Sequence, residues 1–140
     1  GETIVIDNKS NHFFWGGPLS NRMAGKGGFA TGHFWTYNTK HHSINYGKWK
    51  PASFRVGHYE VFVYIPAHNA TTRQARYRIW HAGNAVDKLV DQARFSEKWV
   101  SLGTYKFSNN GKEGVILYDD TGEAEGSTRL AFDAVKFVPR

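Results

Sequence analysis

Between Gly57 and Phe107 the chain carries three runs, GHYEVFVYIPA, ARYRIWHAG and KWVSLGTYKF, in which aromatic and β-branched residues alternate with polar ones. Period-2 alternation sends successive side chains to opposite faces of a strand. Runs of this kind at short intervals describe an antiparallel β-sandwich and not a core of βαβ units.

The same reading extends along the chain. Thr3–Ile6 is predicted as a first strand, ended by Asp7 and Asn8. A Gly-rich stretch follows, with a short strand around His12–Trp15 and long loops. Strands are predicted at His33–Thr39, Ile44–Trp49, Tyr59–Ile65, Ala75–His81 and Ala85–Val90, the last after a hairpin turn at Gly83-Asn84. Trp99–Phe107 follows, with Gly103 a candidate bulge, then Val115–Tyr118 and Leu130–Val138. DDTGEAEGS reads as a solvated acidic loop. The expectation is an all-β, jelly-roll-like sandwich of about nine strands forming a single module over residues 1–140, long enough for a real core.

Alternation also assigns faces. Ala75, Tyr77, Ile79 and His81 read as core, and Arg76, Arg78 and Trp80 as an outward basic and aromatic stripe. Trp49 and Trp99 read as core. In the last strand Lys136 marks Leu130, Phe132 and Ala134 as outward, so Asp133 points inward with Ala131, Val135 and Phe137. A buried carboxylate needs partners. They are either hydrogen-bond donors or a calcium ion, with Asp7 a further ligand if the terminal strands are neighbours. The hydrogen-bonded arrangement is expected, and no cofactor is otherwise called for.

Catalytic signatures are missing. The seven His are scattered or adjacent, without HExxH or a two-His-one-carboxylate pattern. There is no GxSxG elbow. Asp119, Asp120, Glu123 and Glu125 cluster without apolar neighbours that would separate their pKa values. With no Cys there is no disulfide and no thiolate metal site. No apolar run approaches membrane-spanning length, so no membrane partner is expected. The chain is therefore expected not to be an enzyme.

The partner is suggested by what is in surplus. Ten Phe, seven Tyr and five Trp, 16% of residues, exceed what a small core holds. Some rings must reach the surface, where they are useful as binding platforms. The formal charge of +6 favours an anionic partner. Nucleic acid is disfavoured, because Lys and Arg are dispersed and no nucleic-acid motif occurs. A glycan site mixes exposed aromatics with amides and cations. Two segments have that mixture, and the candidate ligand-binding residues are Trp15, Trp35 and Tyr37 from one and His68, Asn69 and Arg73 from the other.

The segments VIDN, YGKWKP, GHYEVFVYIPA, ATTRQARYRIWHAG, Asp91-Gln92, WVSLGTYKF, GVILYDD and AFDAVKFVP resemble, in that order, the golvesin C-terminal-like domain. That module is also described as the xanthan-lyase-type carbohydrate-binding domain. The resemblance is clearest from Trp49 to Pro139. It implies a secreted, mostly bacterial β-sandwich attached to a catalytic domain, with a non-catalytic role in binding a polysaccharide or cell-wall glycan. The alternative is a structural accessory domain packed against that neighbour. Repeated family positions fall on Trp49, Tyr59, Pro66, Tyr77, His81, Gln92, Trp99, Gly103, Phe107, Asp133, Ala134 and Phe137, most of them structural. His81 and Asp133 are expected to form one buried polar pair.

Overall fold

The computed structural model describes all residues, Gly1–Arg140. Its strands are β1 (Ile4–Ile6), β2 (Phe13–Gly16), β3 (Met23–Lys26), β4 (Gly32–Tyr37), β5 (Tyr46–Trp49), β6 (Gly57–Ile65), β7 (Ala75–His81), β8 (Asn84–Val90), β9 (Lys98–Phe107), β10 (Gly114–Tyr118), β11 (Arg129–Phe132) and β12 (Val135–Pro139). Three sheets form, ordered β1-β12-β6-β9, β2-β5-β10-β7-β8 and β11-β4-β3. Every neighbouring pair is antiparallel.

The alternating runs behave as their period requires. In β6, Tyr59, Val61, Val63 and Ile65 are buried, and in β7 so are Ala75, Tyr77 and Ile79. With Trp49, Phe107, Leu117, Phe132 and Phe137 they belong to one cluster of 22 buried apolar residues, held between the sheets. Gly103 has φ +107, and β6 and β9 lose register beside it, leaving Leu102 as the extra residue of a bulge. The β7–β8 turn is Ala82-Gly83, one residue earlier than predicted. Both residues have positive φ, +47 and +78, as a two-residue hairpin loop requires.

Twelve strands form where about nine were expected. β3 lies inside the Gly-rich stretch that reads as loop, because MAGK lacks an alternating pattern and is ordered by pairing with β4. The predicted last strand is two. β11 pairs with β4, the chain bends at Asp133-Ala134, and β12 pairs with β1 and β6. The bend defeats the alternation: Leu130, Phe132 and Ala134, assigned outward, are at most 1% exposed. Trp99 is not core either. It pairs with Tyr64, on the outer face of β6, and packs against Tyr64 and Phe29 with the Lys136 ammonium 4.4 Å from its ring centre.

Gln92 shows how a loop is fixed to this frame. It is fully buried; its amide donates to the Tyr77 hydroxyl (2.9 Å) and the Ala131 carbonyl (3.1 Å), and its carbonyl accepts from the Ala131 amide (3.0 Å). A polar residue survives in the core because each of these groups has a partner.

Candidate functional site

One end of the sandwich gathers the outer face of the β11-β4-β3 sheet and the loop joining β6 to β7. Trp35 and Tyr37 alternate to the same face of β4, and Arg129 of β11 stands directly across from Tyr37. The Arg129 guanidinium lies 4.3 Å from the Trp35 ring centre and 5.4 Å from that of Tyr37, while the two rings meet edge to face at 5.2 Å. Arg129 also donates to Asn69 Oδ1 at 2.8 Å. The Asn69 amide reaches His33 Nε2 at 3.1 Å, and His33 Nδ1 reaches the Gly27 carbonyl at 3.0 Å. Burial holds the His33 pKa below its ordinary value, so the ring is neutral here.

Tyr37 is 47% exposed and borders a cavity of about 310 Å³. Met23, Ile44 and Asn21, also exposed, share the rim with it; Asn38, Asn45 and Asp119 lie deeper. The walls are fixed by buried polar contacts. The Asn38 amide donates to Thr121 Oγ1, Glu123 O and Ala124 O, and its carbonyl accepts from the Thr128 amide. Asp119 accepts from the Ile44 and Asn45 amides and the Ser43 hydroxyl. Burial raises its pKa despite these donors. The reading of Asp119 as part of a solvated turn is thereby corrected: the residue is 1% exposed. Burial also works against ionisation of Glu123. Hydrogen bonds from the Thr72 hydroxyl, the Arg73 amide and the Thr128 hydroxyl outweigh it, and its pKa is lowered.

The structure thus brings Trp35, Tyr37 and Asn69 together around Arg129. His68 and Arg73 lie exposed on the same β6–β7 loop, and the Arg73 guanidinium forms no ion pair. Trp15 does not join them. It sits in β2 and packs edge-on against Phe132 (5.0 Å), on the core. Arg129 and Asp119 were missed by sequence reasoning. Arg129 is 92 residues from Tyr37, and no local pattern marks the pairing.

The buried acid of the last segment is also resolved. Asp133 is 2% exposed, and β1 neighbours β12, which brings Asp7 to it. Asp133 Oδ2 accepts from the Phe29 amide at 3.1 Å, Oδ1 has no hydrogen-bond donor, and the Asp7 carboxyl interacts with the Asp133 side chain. Burial raises the Asp133 pKa well above the carboxylate range, and the Asp7 charge raises it further. His81 is not its partner. Its Nδ1 reaches the Lys106 carbonyl at 3.1 Å, and its ring packs on Tyr105 and Phe107. A calcium cage takes six to eight oxygens; nowhere do three His, Asp or Glu side chains converge to hold a metal. No helix is long and apolar enough to cross a membrane.

Residues 4–139 match the family model of the Golvesin C-terminal domain. Xanthan lyase of Bacillus sp. (strain GL1) is 35% identical over 83 residues, which are 59% of this chain and 9% of that protein. The solved structure of Paenibacillus xanthan lyase superposes with a TM-score of 0.82 at 19% identity, covering 99% of this chain and 13% of that one. A family 35 carbohydrate-binding module from Clostridium thermocellum gives 0.59 at 13% identity, covering 96% and 98%. At these identities the two structures show a shared fold. The chain spans only a small fraction of the length of the xanthan lyases it matches.

Proposed function

Because this chain belongs to the Golvesin C-terminal domain family, we propose that it is a non-catalytic module that binds a polysaccharide and holds an attached catalytic domain on it. The observation that carries this reading is the exposed Tyr37 ring, set beside Trp35 by Arg129 and Asn69 at the mouth of a polar cavity. A sugar ring offers an apolar C–H face to stack on an aromatic side chain and hydroxyls to pair with amides and carboxylates, and this end of the sandwich presents both kinds of group. The free Arg73 guanidinium and the net charge of +6 favour a glycan bearing carboxylates, outside the cell or in a cell wall.

The test is co-sedimentation of the 140-residue chain with insoluble cell walls, and its retardation in gels containing xanthan or neutral glycans. Retention that falls in Tyr37→Ala and Arg129→Ala supports the site. Absence of retention by every glycan, or full retention by both variants, overturns it. Release of reducing ends or unsaturated sugars by the pure chain would contradict the non-catalytic role.

A further inference from the structure

The outer face of the β2-β5-β10-β7-β8 sheet carries a second set of aromatic and cationic groups. Register puts Lys48, Ile116 and Arg78 in one row across β5, β10 and β7, and Tyr46, Tyr118 and Arg76 in the next. The two arginines are neutralised. Arg76 Nη2 donates to both Asp120 oxygens (2.8 and 3.0 Å), and Arg78 forms a bidentate pair with Asp87 through Nε (2.7 Å) and Nη2 (3.1 Å). Both guanidinium groups lie over the Tyr118 ring, at 4.8 and 5.4 Å, and fix it in place. Lys48, Lys50 and Lys112 stand beside them and form no ion pair. The free charge of this face therefore belongs to three lysines and not to the arginine stripe.

Those lysines surround Trp80, which is 37% exposed at the far end of β7 from the Tyr37 site. Trp80 is five steps along the strand from Ala75, roughly 17 Å at about 3.3 Å per step. Trp80 separates two cavities. One, of about 350 Å³, has Ile116 and Tyr118 in its walls and the three lysines around it. The other, of about 340 Å³, has His81, Asn84, Asn110 and Glu113 in its walls. Lys112 borders both. His81 Nε2 has no hydrogen-bond partner within the chain. Each cavity is at the low end of the size range that holds small ligands.

We infer that this face is a second glycan site, taking an acidic polysaccharide whose sugar ring stacks on Trp80 and whose carboxylates meet Lys48, Lys50 and Lys112. It rests on the glycan-binding reading of the chain but uses none of the Tyr37-site residues. Charge complementarity selects the occupant. Three unpaired cations face an aromatic platform flanked by amide and imidazole groups. A single-stranded nucleic acid is the poorer fit. It needs successive stacking rings in a continuous positive groove, whereas Trp80 is the one exposed indole here.

The experiment is an NMR titration of the full chain with alginate oligosaccharides, following backbone amides and the five indole N–H signals, with neutral manno-oligosaccharides and oligothymidylate as parallel probes. Alginate is expected to shift the Trp80 indole and the amides around Lys48 and Lys112, less so at high salt. Trp80→Ala should weaken that response about tenfold or more, by analogy with base stacking on aromatics. The triple variant Lys48→Gln, Lys50→Gln, Lys112→Gln should do the same with the aromatic platform intact. Tyr37→Ala should leave it unchanged. Shifts confined to the Tyr37 region, an equal response to neutral sugars, or tighter binding of oligothymidylate at Trp80 each overturn the proposal. A silent Trp80 face with an active Tyr37 end removes the second site alone, and the converse removes the first.

Discussion

The Trp49 indole N–H donates to the main-chain carbonyl of Asp133 at 3.0 Å. Asp133 is where the chain leaves β11 in one sheet for β12 in another, so this bond ties β5 to the crossover. The Trp49 ring also meets Phe13 edge-on and lies nearly parallel to Phe132. Trp49→Phe deletes the donor, strands a buried carbonyl and opens a void. A loss of about 2–4 kcal/mol is expected in urea unfolding, from the cavity and the unpaired acceptor together. Wild-type stability in that variant would mean the crossover does not depend on the bond.

The contribution of Asp133 to stability should fall as pH rises. Asp133 has its folded pKa pushed up to about 8, chiefly by burial and then by Asp7, from an ordinary value of 3.8. The folded state therefore holds more protons than the unfolded state between those values, and unfolding free energy decreases across that window. The contribution is complete below about pH 4 and gone above about pH 8. Denaturant unfolding at a series of pH values checks this. Asp133→Asn, which keeps a donor toward Asp7 and cannot ionise, should flatten the slope. A pH dependence left unchanged by Asp133→Asn contradicts the assignment.

Trp15 and Tyr37 should separate binding from folding. Trp15→Ala removes a ring packed on Phe132 and should cost about 2–3 kcal/mol, less than for a fully buried ring. Tyr37→Ala should leave the melting temperature near wild type and weaken glycan binding by about 1–3 kcal/mol, by analogy with aromatic stacking on bases. The two variants compared by thermal melting and gel retardation give the answer. Equal loss of stability in both would place Tyr37 in the framework instead.

Gly28 and Gly83 both have positive φ but differ in surroundings. A Cβ on Gly28 would lie 2.2 Å from Asp133 Oδ2, whereas none of the atoms around Gly83 comes within 4 Å of such a Cβ. Gly83→Ala should cost about 1 kcal/mol from backbone strain alone. Gly28→Ala should cost more and disturb the pH dependence carried by Asp133. Equal destabilisation by the two variants would show that the clash at Gly28 is relieved by a shift of the loop.

Period-2 alternation was enough to reveal the all-β class and the inward Ala75, Tyr77 and Ile79 of β7, and a Gly inside a strand pattern marked the bulge at Gly103. These are properties of a few adjacent residues: side-chain direction alternates along any extended strand, and Gly tolerates the φ a bulge requires. The family resemblance rests on the same local runs. Tertiary structure alone decided that Leu130 and Val138 belong to different strands, that Asp7 is the partner of Asp133, and that Arg129 stands against Tyr37. It also decided that Asp87 and Asp120 neutralise Arg76 and Arg78, leaving Lys48, Lys50 and Lys112 as the free cations. Each of these relationships joins segments far apart in sequence through sheet register. Register is set by the packing of the whole core, so no stretch of the chain encodes it by itself.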